Sequence, residues 1–188
     1  IRMDLSLAVP NGEVLSTFYE SLTNLERFIY NHSLFPEKIN KTIQLDFAPE
    51  YSFSKAPVFL FNHHPKDFST VAVYNIRVAE DNDEKYTLSR KEIDLINAKL
   101  IIPGSGVQIA YAQRYPSTIR YIFPDPVTSA GWKAYAAAML LDSGFGDWDK
   151  EYRILKLKEE IAIISNAIVE GSYYSGDLSR SDAIKFYR

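Results

Sequence analysis

Few residues in this chain have the types and spacing that catalysis or metal binding requires. His63 and His64 are adjacent, and Asp67 follows shortly after them. Neighbouring residues of an extended segment point to opposite faces, so both histidines would rarely bind one metal ion. His32 is the remaining histidine, and a three-histidine zinc site would need it to approach from a distant part of the chain. We therefore interpret the histidines as surface or loop residues.

A second pattern resembles the start of a calcium-binding loop. Asp81, Asn82 and Asp83 offer oxygen ligands for its first positions, and Glu92 stands at loop position 12 counted from Asp81. Loop position 6 is Tyr86, where the sharp turn of such a loop needs glycine. The acidic run is therefore interpreted as a solvated turn.

Other signatures of enzyme chemistry are missing from the sequence. Gly104-Ser105-Gly106 lacks the Gly-x-Ser-x-Gly spacing of a nucleophile elbow, and no Gly-Lys-Ser/Thr follows it to complete a phosphate loop. The absence of cysteine excludes disulfides, thiolate nucleophiles and cysteine-based zinc sites within these residues. We predict that the chain is not an enzyme and has no catalytic, cofactor-binding or metal site. The alternative is a small soluble enzyme that uses His63, His64 and Asp67.

Composition and charge are those of a soluble globular protein. With 188 residues, of which 46% are hydrophobic and 24% charged, the chain can build one core. A net charge of -3 does not suggest wrapping around nucleic acid, which requires a clustered basic face. No apolar run approaches the roughly 20 residues of a membrane span. Leu5 to Val9 is too short for a signal peptide, so none is expected.

The first two thirds of the chain predict one helix and several short strands. Apolar residues recur at helical spacing over residues 13–30. Residues 42–47 alternate as a strand does, and residues 71–78 are rich in strand-forming types. Further strands are predicted at residues 86–88, 95–96, 100–102 and 107–111.

The last third of the chain predicts two helices. Asp125 can accept hydrogen bonds from the free amides of a first turn, and Pro126 fits the first helical position. This first helix is rich in alanine, and Gly144 and Gly146 allow the left-handed conformations that end it. The second helix is predicted from about Trp148 to Val169, with an apolar stripe along it. The stripe consists of Ile154, Leu157, Ile161, Ile164 and Ile168.

These elements predict an α+β fold, a helical bundle with a small antiparallel β-sheet and an extended C-terminal tail. We predict a single α+β domain at residues 1–171 and a partner-binding tail at residues 172–188. The apolar residues of the tail have no clean period, so we expect the tail to become ordered only on a partner. They are Tyr173, Tyr174, Leu178, Ile184, Phe186 and Tyr187.

Several short motifs point to a known family. Phe61 to Phe68 resembles a Tyr-x-x-x-Pro-x-Asp-Phe stretch, and Val107 to Tyr111 a Val-x-Leu-x-Tyr strand. Trp132 to Leu140 is similar to an alanine-rich helix, while Asn31 to Pro36 and Ile96-Asn97 occupy a turn and a strand end. Over most of residues 20–175 the chain thus resembles the head-to-tail adaptor family of short-tailed bacteriophages, the tail tubular protein A or gatekeeper type.

The resemblance implies a structural virion protein. Twelve copies would form a ring that connects the portal to the tail and lines the DNA exit channel. The implied partners are further copies of the chain, the portal protein, the tail nozzle or next tail component, and double-stranded DNA that passes without sequence-specific binding; no membrane is expected. The chain would reside in the virion tail or neck, and in the host cytoplasm during assembly. Alternatives are a neck or connector protein of another tailed-phage group, and a binding module unrelated to tails.

The implied ring also predicts a subunit interface on the last two helices. Small side chains on the alanine-rich helix would let a neighbouring backbone come close. The alternative is that these helices simply lie deep in their own core. The predicted interface residues are Trp132, Tyr135, Ala137, Trp148 and Tyr152, and residues 172–188 would bind the portal.

Overall fold

The chain has an α+β fold, as predicted. The computed structural model describes residues 8–35, 43–49, 58–62, 72–77, 87–114, 119, 123 and 125–186. The chain divides into two compact units, Ile1–Trp148 (unit 1) and Asp149–Arg188 (unit 2).

Unit 1 contains four described helices and a small sheet. The helices are α1 (Val14–Asn31), α2 (Arg90–Leu100), α3 (Ser105–Arg114) and α4 (Pro126–Asp142), and the strands are β1 (Ile43–Phe47), β2 (Val58–Asn62) and β3 (Ala72–Ile76). A short 3-10 turn, Asn11–Glu13, precedes α1. Unit 2 contains α5 (Lys150–Ser175) and α6 (Arg180–Phe186), which contact each other.

Helix α1 forms where its apolar period predicts. Its core face buries Phe18 and Leu25 completely, and Leu22 and Ile29 nearly so. This face packs against α2 and β1. Tyr19 joins α1 to the sheet, because its hydroxyl accepts a hydrogen bond of 2.9 Å from the backbone N–H of Leu45.

The sheet is mixed rather than antiparallel, so that part of the prediction is wrong. The strand order is β1-β3-β2. β1 pairs with β3 in parallel, with Leu45 opposite Tyr74, while β2 pairs with β3 antiparallel. The central strand is β3. Whether a neighbouring strand runs parallel or antiparallel to it depends on the route of the connection between them, and strand propensity does not encode that route.

The strands predicted at residues 95–96, 100–102 and 107–111 are also wrong, because this region is helical. A capping box starts α2: the Ser89 backbone N–H donates to Glu92 Oε2 at 2.9 Å, and the Glu92 N–H donates to Ser89 Oγ at 3.3 Å. Residues 101–104 make a turn and α3 follows at once. Reciprocal capping and burial on α1 and α4 outweigh the strand propensity of these apolar residues.

Helix α4 begins and ends as predicted. Asp125 caps it through a 2.7 Å bond from the Thr128 N–H, and Pro126 occupies the first position. Gly144 and Gly146 have φ values of +93° and +74° in the turn that follows. At Gly144 an added Cβ would also lie 3.2 Å from the Trp148 ring, so glycine is required there.

The predicted extended tail is wrong, since the described residues of 172–188 are mostly helical. Helix α5 continues to Ser175, past the predicted boundary at residue 171, and ends at Gly176 in the left-handed conformation. α6 then starts where Ser179 Oγ accepts the Asp182 N–H at 3.2 Å. Local capping therefore supports a helix among residues for which an apolar period is lacking. Binding of a partner by residues 172–188 stays a prediction.

Candidate functional site

An open cavity lies in unit 1 between α3 and α4. Its volume is about 330 Å³, near the lower end of the range for small-molecule sites. The described residues that line it come from both helices and from the segment after α1. They are Phe35, Val107, Gln108, Tyr111, Thr128 and Trp132.

Helix α3 supplies one wall of the cavity. Val107, Gln108 and Tyr111 lie on one helical face because residues three and four apart are neighbours. The start of α3 depends on Gly104, where a Cβ would lie 1.7 Å from the Lys99 carbonyl oxygen. No other residue could fit this close turn, which fixes where α3 begins and thus where its wall stands.

Helix α4 supplies the opposite wall, again through residues four apart, Thr128 and Trp132. The Trp132 indole N–H lies 3.1 Å from the Pro103 carbonyl oxygen and 2.9 Å from that of Gly104, and donates to both. The Phe35 ring packs edge-on to the Trp132 ring, and the two ring centroids lie 6.4 Å apart. Trp132 is therefore a fixed aromatic wall, held by the turn that precedes α3.

The cavity is uncharged along its described lining. Gln108 donates from Nε2 to Ser129 Oγ at 3.4 Å, which leaves its amide oxygen and second N–H as a polar group beside the cavity. Arg114, which is not part of the described lining, places its guanidinium 6.0 Å from the centre of the Tyr111 ring. Such a lining offers aromatic surface and one amide rather than charged partners, which suits a neutral ligand.

Asp125, whose carboxylate is bonded to the lining residue Thr128, belongs to the cap of α4. The side chain and backbone N–H of Thr128 both donate to Asp125, and these bonds hold the pKa of that carboxyl below its usual range. A carboxylate with a lowered pKa is a weaker general base. The Thr128 hydroxyl also donates to Asp125, so both groups take part in the cap of α4.

The structure brings some of the predicted interface residues together and separates others. Trp132 and Tyr135 lie side by side on α4, with ring centroids 5.8 Å apart, and Trp132 lines the cavity. Ala137 is buried, on a helix that contacts α2 and α3. Trp148 is exposed at the end of unit 1, whereas Tyr152 is buried on α5 in unit 2. Their role as a subunit interface stays a prediction.

The residues of the predicted tail are distributed over α5 and α6. Tyr173 and Tyr174 are exposed, with ring centroids 5.7 Å apart, and Leu178 is half-buried. Ile184 and Phe186 are exposed on α6. Tyr187 lies outside the described residues.

The histidine and calcium-loop patterns fall mostly on residues that the structure does not describe. His63, His64 and Asp67 all lie outside the described part of the chain, as do residues 81–86. Glu92 is described, and its carboxylate serves the capping box of α2. Among the described residues, no group of three or more His, Cys, Asp or Glu side chains could hold a metal ion.

Sequence reasoning missed every lining residue except Trp132. A usable signal was present: Val107 with Tyr111, and Thr128 with Trp132, are apolar or amphipathic pairs four residues apart. Treating residues 107–111 as a strand concealed the first pair. Ser89-x-x-Glu92 is the sequence signature that would have corrected it by marking the start of a helical region.

Comparison with known proteins decides the family. Residues 5–188 match the profile of a bacterial family described as "Bacterial protein of unknown function (DUF885)". The chain belongs to this DUF885 family. No curated protein matches it.

The fold is shared with a solved bacterial structure. The chain is similar to a "putative lipoprotein of unknown function from Shewanella oneidensis", with a TM-score of 0.75 and 19% sequence identity. The alignment covers 97% of this chain and 36% of that one, so the DUF885 chain spans about a third of its neighbour's length. None of the helices in the described segments combines the length and apolar character needed to cross a bilayer.

The predicted phage adaptor identity is wrong. Nearly the whole chain matches a bacterial family, and this overturns the predicted virion function and the virion location. The resemblance failed because its motifs were short and apolar, and the strand motifs at Ile96-Asn97 and Val107 to Tyr111 lie in helices. The portal, tail and DNA partners came with that resemblance and lose their basis with it. A homo-oligomer stays a prediction.

Proposed function

We propose that the DUF885 chain binds a small neutral ligand, with one or two aromatic or aliphatic rings, in the cavity between α3 and α4. The observation that carries this proposal is the lining: three aromatic rings and Val107 surround about 330 Å³ of open space, and no described lining residue is charged. Apolar walls with a few placed polar groups are the usual composition of small-molecule sites.

The fixed position of Trp132 supports binding rather than collapse of the cavity. Two hydrogen bonds hold its indole N–H, so the ring would not need to be ordered when a ligand arrives. A wall that is ordered in advance lowers the entropy lost on binding. The Gln108 amide would select ligands that carry a hydroxyl or amide beside the ring.

We also propose that the chain does not convert this ligand chemically. The described lining has neither a carboxylate nor a histidine, and the Thr128 hydroxyl is bonded to Asp125. General acid–base chemistry needs a titrating group within hydrogen-bond reach of the reacting atom.

Titration of the purified chain with benzyl alcohol and cyclohexylmethanol tests the proposal. The readout is the indole N–H resonance of Trp132 in ¹H–¹⁵N spectra, with Trp148, the second tryptophan, as an internal reference. We expect a saturable shift of the Trp132 resonance alone. Tyr111→Ala should weaken binding several-fold, whereas Tyr30→Ala, which removes an exposed tyrosine outside the lining, should not. No saturable shift with either compound would refute the proposed site.

A further inference from the structure

Strand β1 is an outer strand of the sheet in the part of the chain that the structure describes. It pairs with β3 along one of its two edges. An outer strand presents backbone N–H and C=O groups that can pair with a strand of another molecule, and such pairing leads to aggregation. The second edge of β1, here called the free edge, is therefore a place where the fold requires protection.

The bonds of Leu45 show which backbone groups of β1 point to the free edge. The Leu45 N–H donates to the Tyr19 hydroxyl at 2.9 Å, and that hydroxyl donates to the Leu45 carbonyl oxygen at 3.4 Å. Both groups of Leu45 therefore point to α1 and away from β3. Because the direction of these groups alternates along a strand, those of Ile43 and Phe47 point to the same edge. The Ala48 N–H donates to β3 at 2.8 Å, as this alternation requires.

We propose that Tyr19 guards the free edge of β1 against the addition of a further strand. An added strand would need hydrogen bonds to Leu45, the central residue of β1, and the Tyr19 hydroxyl already occupies both backbone groups of that residue. A tyrosine hydroxyl can serve an N–H and a C=O together because it both accepts and donates. One side chain thus takes the place of a partner strand at the middle of the edge.

Helix α1 holds Tyr19 in this position. The neighbouring residue Phe18 is completely buried, and Leu22 is nearly so, which anchors α1 in the core of unit 1. The helix also contacts β1. Tyr19 itself is 41% exposed, so it lies at the border between the core and the solvent, from which an added strand would approach. The hydroxyl is therefore in place before any strand arrives.

The composition of β1 explains why its free edge needs a guard. Ile43, Leu45 and Phe47 are strand-forming types, and Phe47 is 52% exposed. The charged residue of the strand is Asp46, whose carboxylate accepts a hydrogen bond of 2.9 Å from Gln44 Nε2. Protected outer strands usually carry lysine, proline or a bulge. β1 has neither lysine nor proline, which leaves the contact with Tyr19 as its protection.

Amide hydrogen exchange of Tyr19→Phe, followed residue by residue in ¹H–¹⁵N spectra, tests the contact itself. This variant keeps the ring and removes the group that the Leu45 N–H bonds to. We expect the Leu45 amide to exchange about tenfold faster than in wild type. The matched control is Tyr30→Phe, which changes an exposed tyrosine of the same helix and should leave the exchange of Leu45 as it is. Unchanged protection of Leu45 in Tyr19→Phe overturns the proposal.

Sedimentation equilibrium of Tyr19→Ala tests the guard. Alanine favours the helix, so circular dichroism should show the wild-type helix content. We expect the mass of this variant to rise above that of wild type as its concentration increases, whereas Tyr30→Ala should match wild type. The double variant Tyr19→Ala with Phe47→Pro should return to the wild-type mass, because proline removes an N–H that points to the free edge. A wild-type mass for Tyr19→Ala at every concentration, or association that persists in the double variant, overturns the proposal.

Discussion

Replacing Asn97 by aspartate should make the stability of the chain depend strongly on pH. Asn97 lies on α2, has no exposed surface, and donates from Nδ2 to the Phe18 carbonyl of α1 at 3.0 Å. Within the described part of the chain, its Oδ1 has no hydrogen-bond partner. Asn97→Asp keeps the shape of the side chain and replaces the Nδ2 amide, which always donates, by a carboxyl oxygen. When protonated, the new carboxyl can still donate to Phe18; when ionised, it is a buried charge beside a carbonyl.

The magnitude follows from linkage between ionisation and folding. In the unfolded chain the new carboxyl ionises near its usual pKa of about 3.9. Burial raises the pKa of such a group in the folded chain, by up to about 3–5 units when it is fully buried. Above pH 4 the unfolded state therefore loses its proton first, and the free energy of unfolding falls by about 1.4 kcal/mol per pH unit relative to wild type. Between pH 5 and pH 7 this amounts to about 2.7 kcal/mol.

Urea unfolding followed by circular dichroism at pH 5 and pH 7 measures this difference. The control is Asn97→Ala, which loses the same hydrogen bond, costs about 1–3 kcal/mol at both pH values, and introduces no titrating group. The free energies of unfolding of Asn97→Asp and wild type could instead differ by the same amount at both pH values. That outcome would mean that the carboxylate at position 97 is hydrated or accepts a hydrogen bond, and it would refute the packing of α1 on α2.

Two further perturbations test the turn before α3 and the buried core of unit 1. Gly104→Ala places a Cβ 1.7 Å from the Lys99 carbonyl oxygen, so thermal unfolding should show a loss of about 3 kcal/mol, the upper range for overpacking; an unchanged melting temperature would contradict the turn before α3. Burial raises the pKa of Tyr74, so its contribution to stability is complete below its unfolded pKa of about 10 and is lost as pH rises toward the folded pKa. Urea unfolding at pH 9 and pH 11 should therefore show a smaller alkaline loss for Tyr74→Phe than for wild type, and equal losses would contradict the burial of this hydroxyl.

Elements with a strong local signal could be predicted from the sequence. The apolar period of α1 extends over five turns, and Asp125-Pro126 combines a capping side chain with the residue best suited to the first helical position. Both helices form where these signals lie. The stripe on α5 was likewise evident, because its residues need only one helix to come together.

Short apolar runs were the main source of error. Val107, Ile109 and Tyr111 alternate over five residues, a length at which strand and helix periods cannot be separated. On α3 Val107 and Tyr111 instead lie on one face, four residues apart, and both line the cavity. The parallel pairing of β1 and β3 was beyond local reasoning for a different cause, since it depends on the route of the chain between them.

No single segment of the sequence predicts the cavity, because its lining comes from α3, α4 and the segment after α1. Its wall at Trp132 is held by carbonyl oxygens of Pro103 and Gly104, in the turn that sets the start of α3. The same indole therefore joins α4 to the turn and faces the cavity. Moving Trp132 into the cavity would leave its N–H without these acceptors, which costs about 1–3 kcal/mol if the group stays buried. The bonds that join α4 to the turn before α3 thus also hold this wall of the cavity in place.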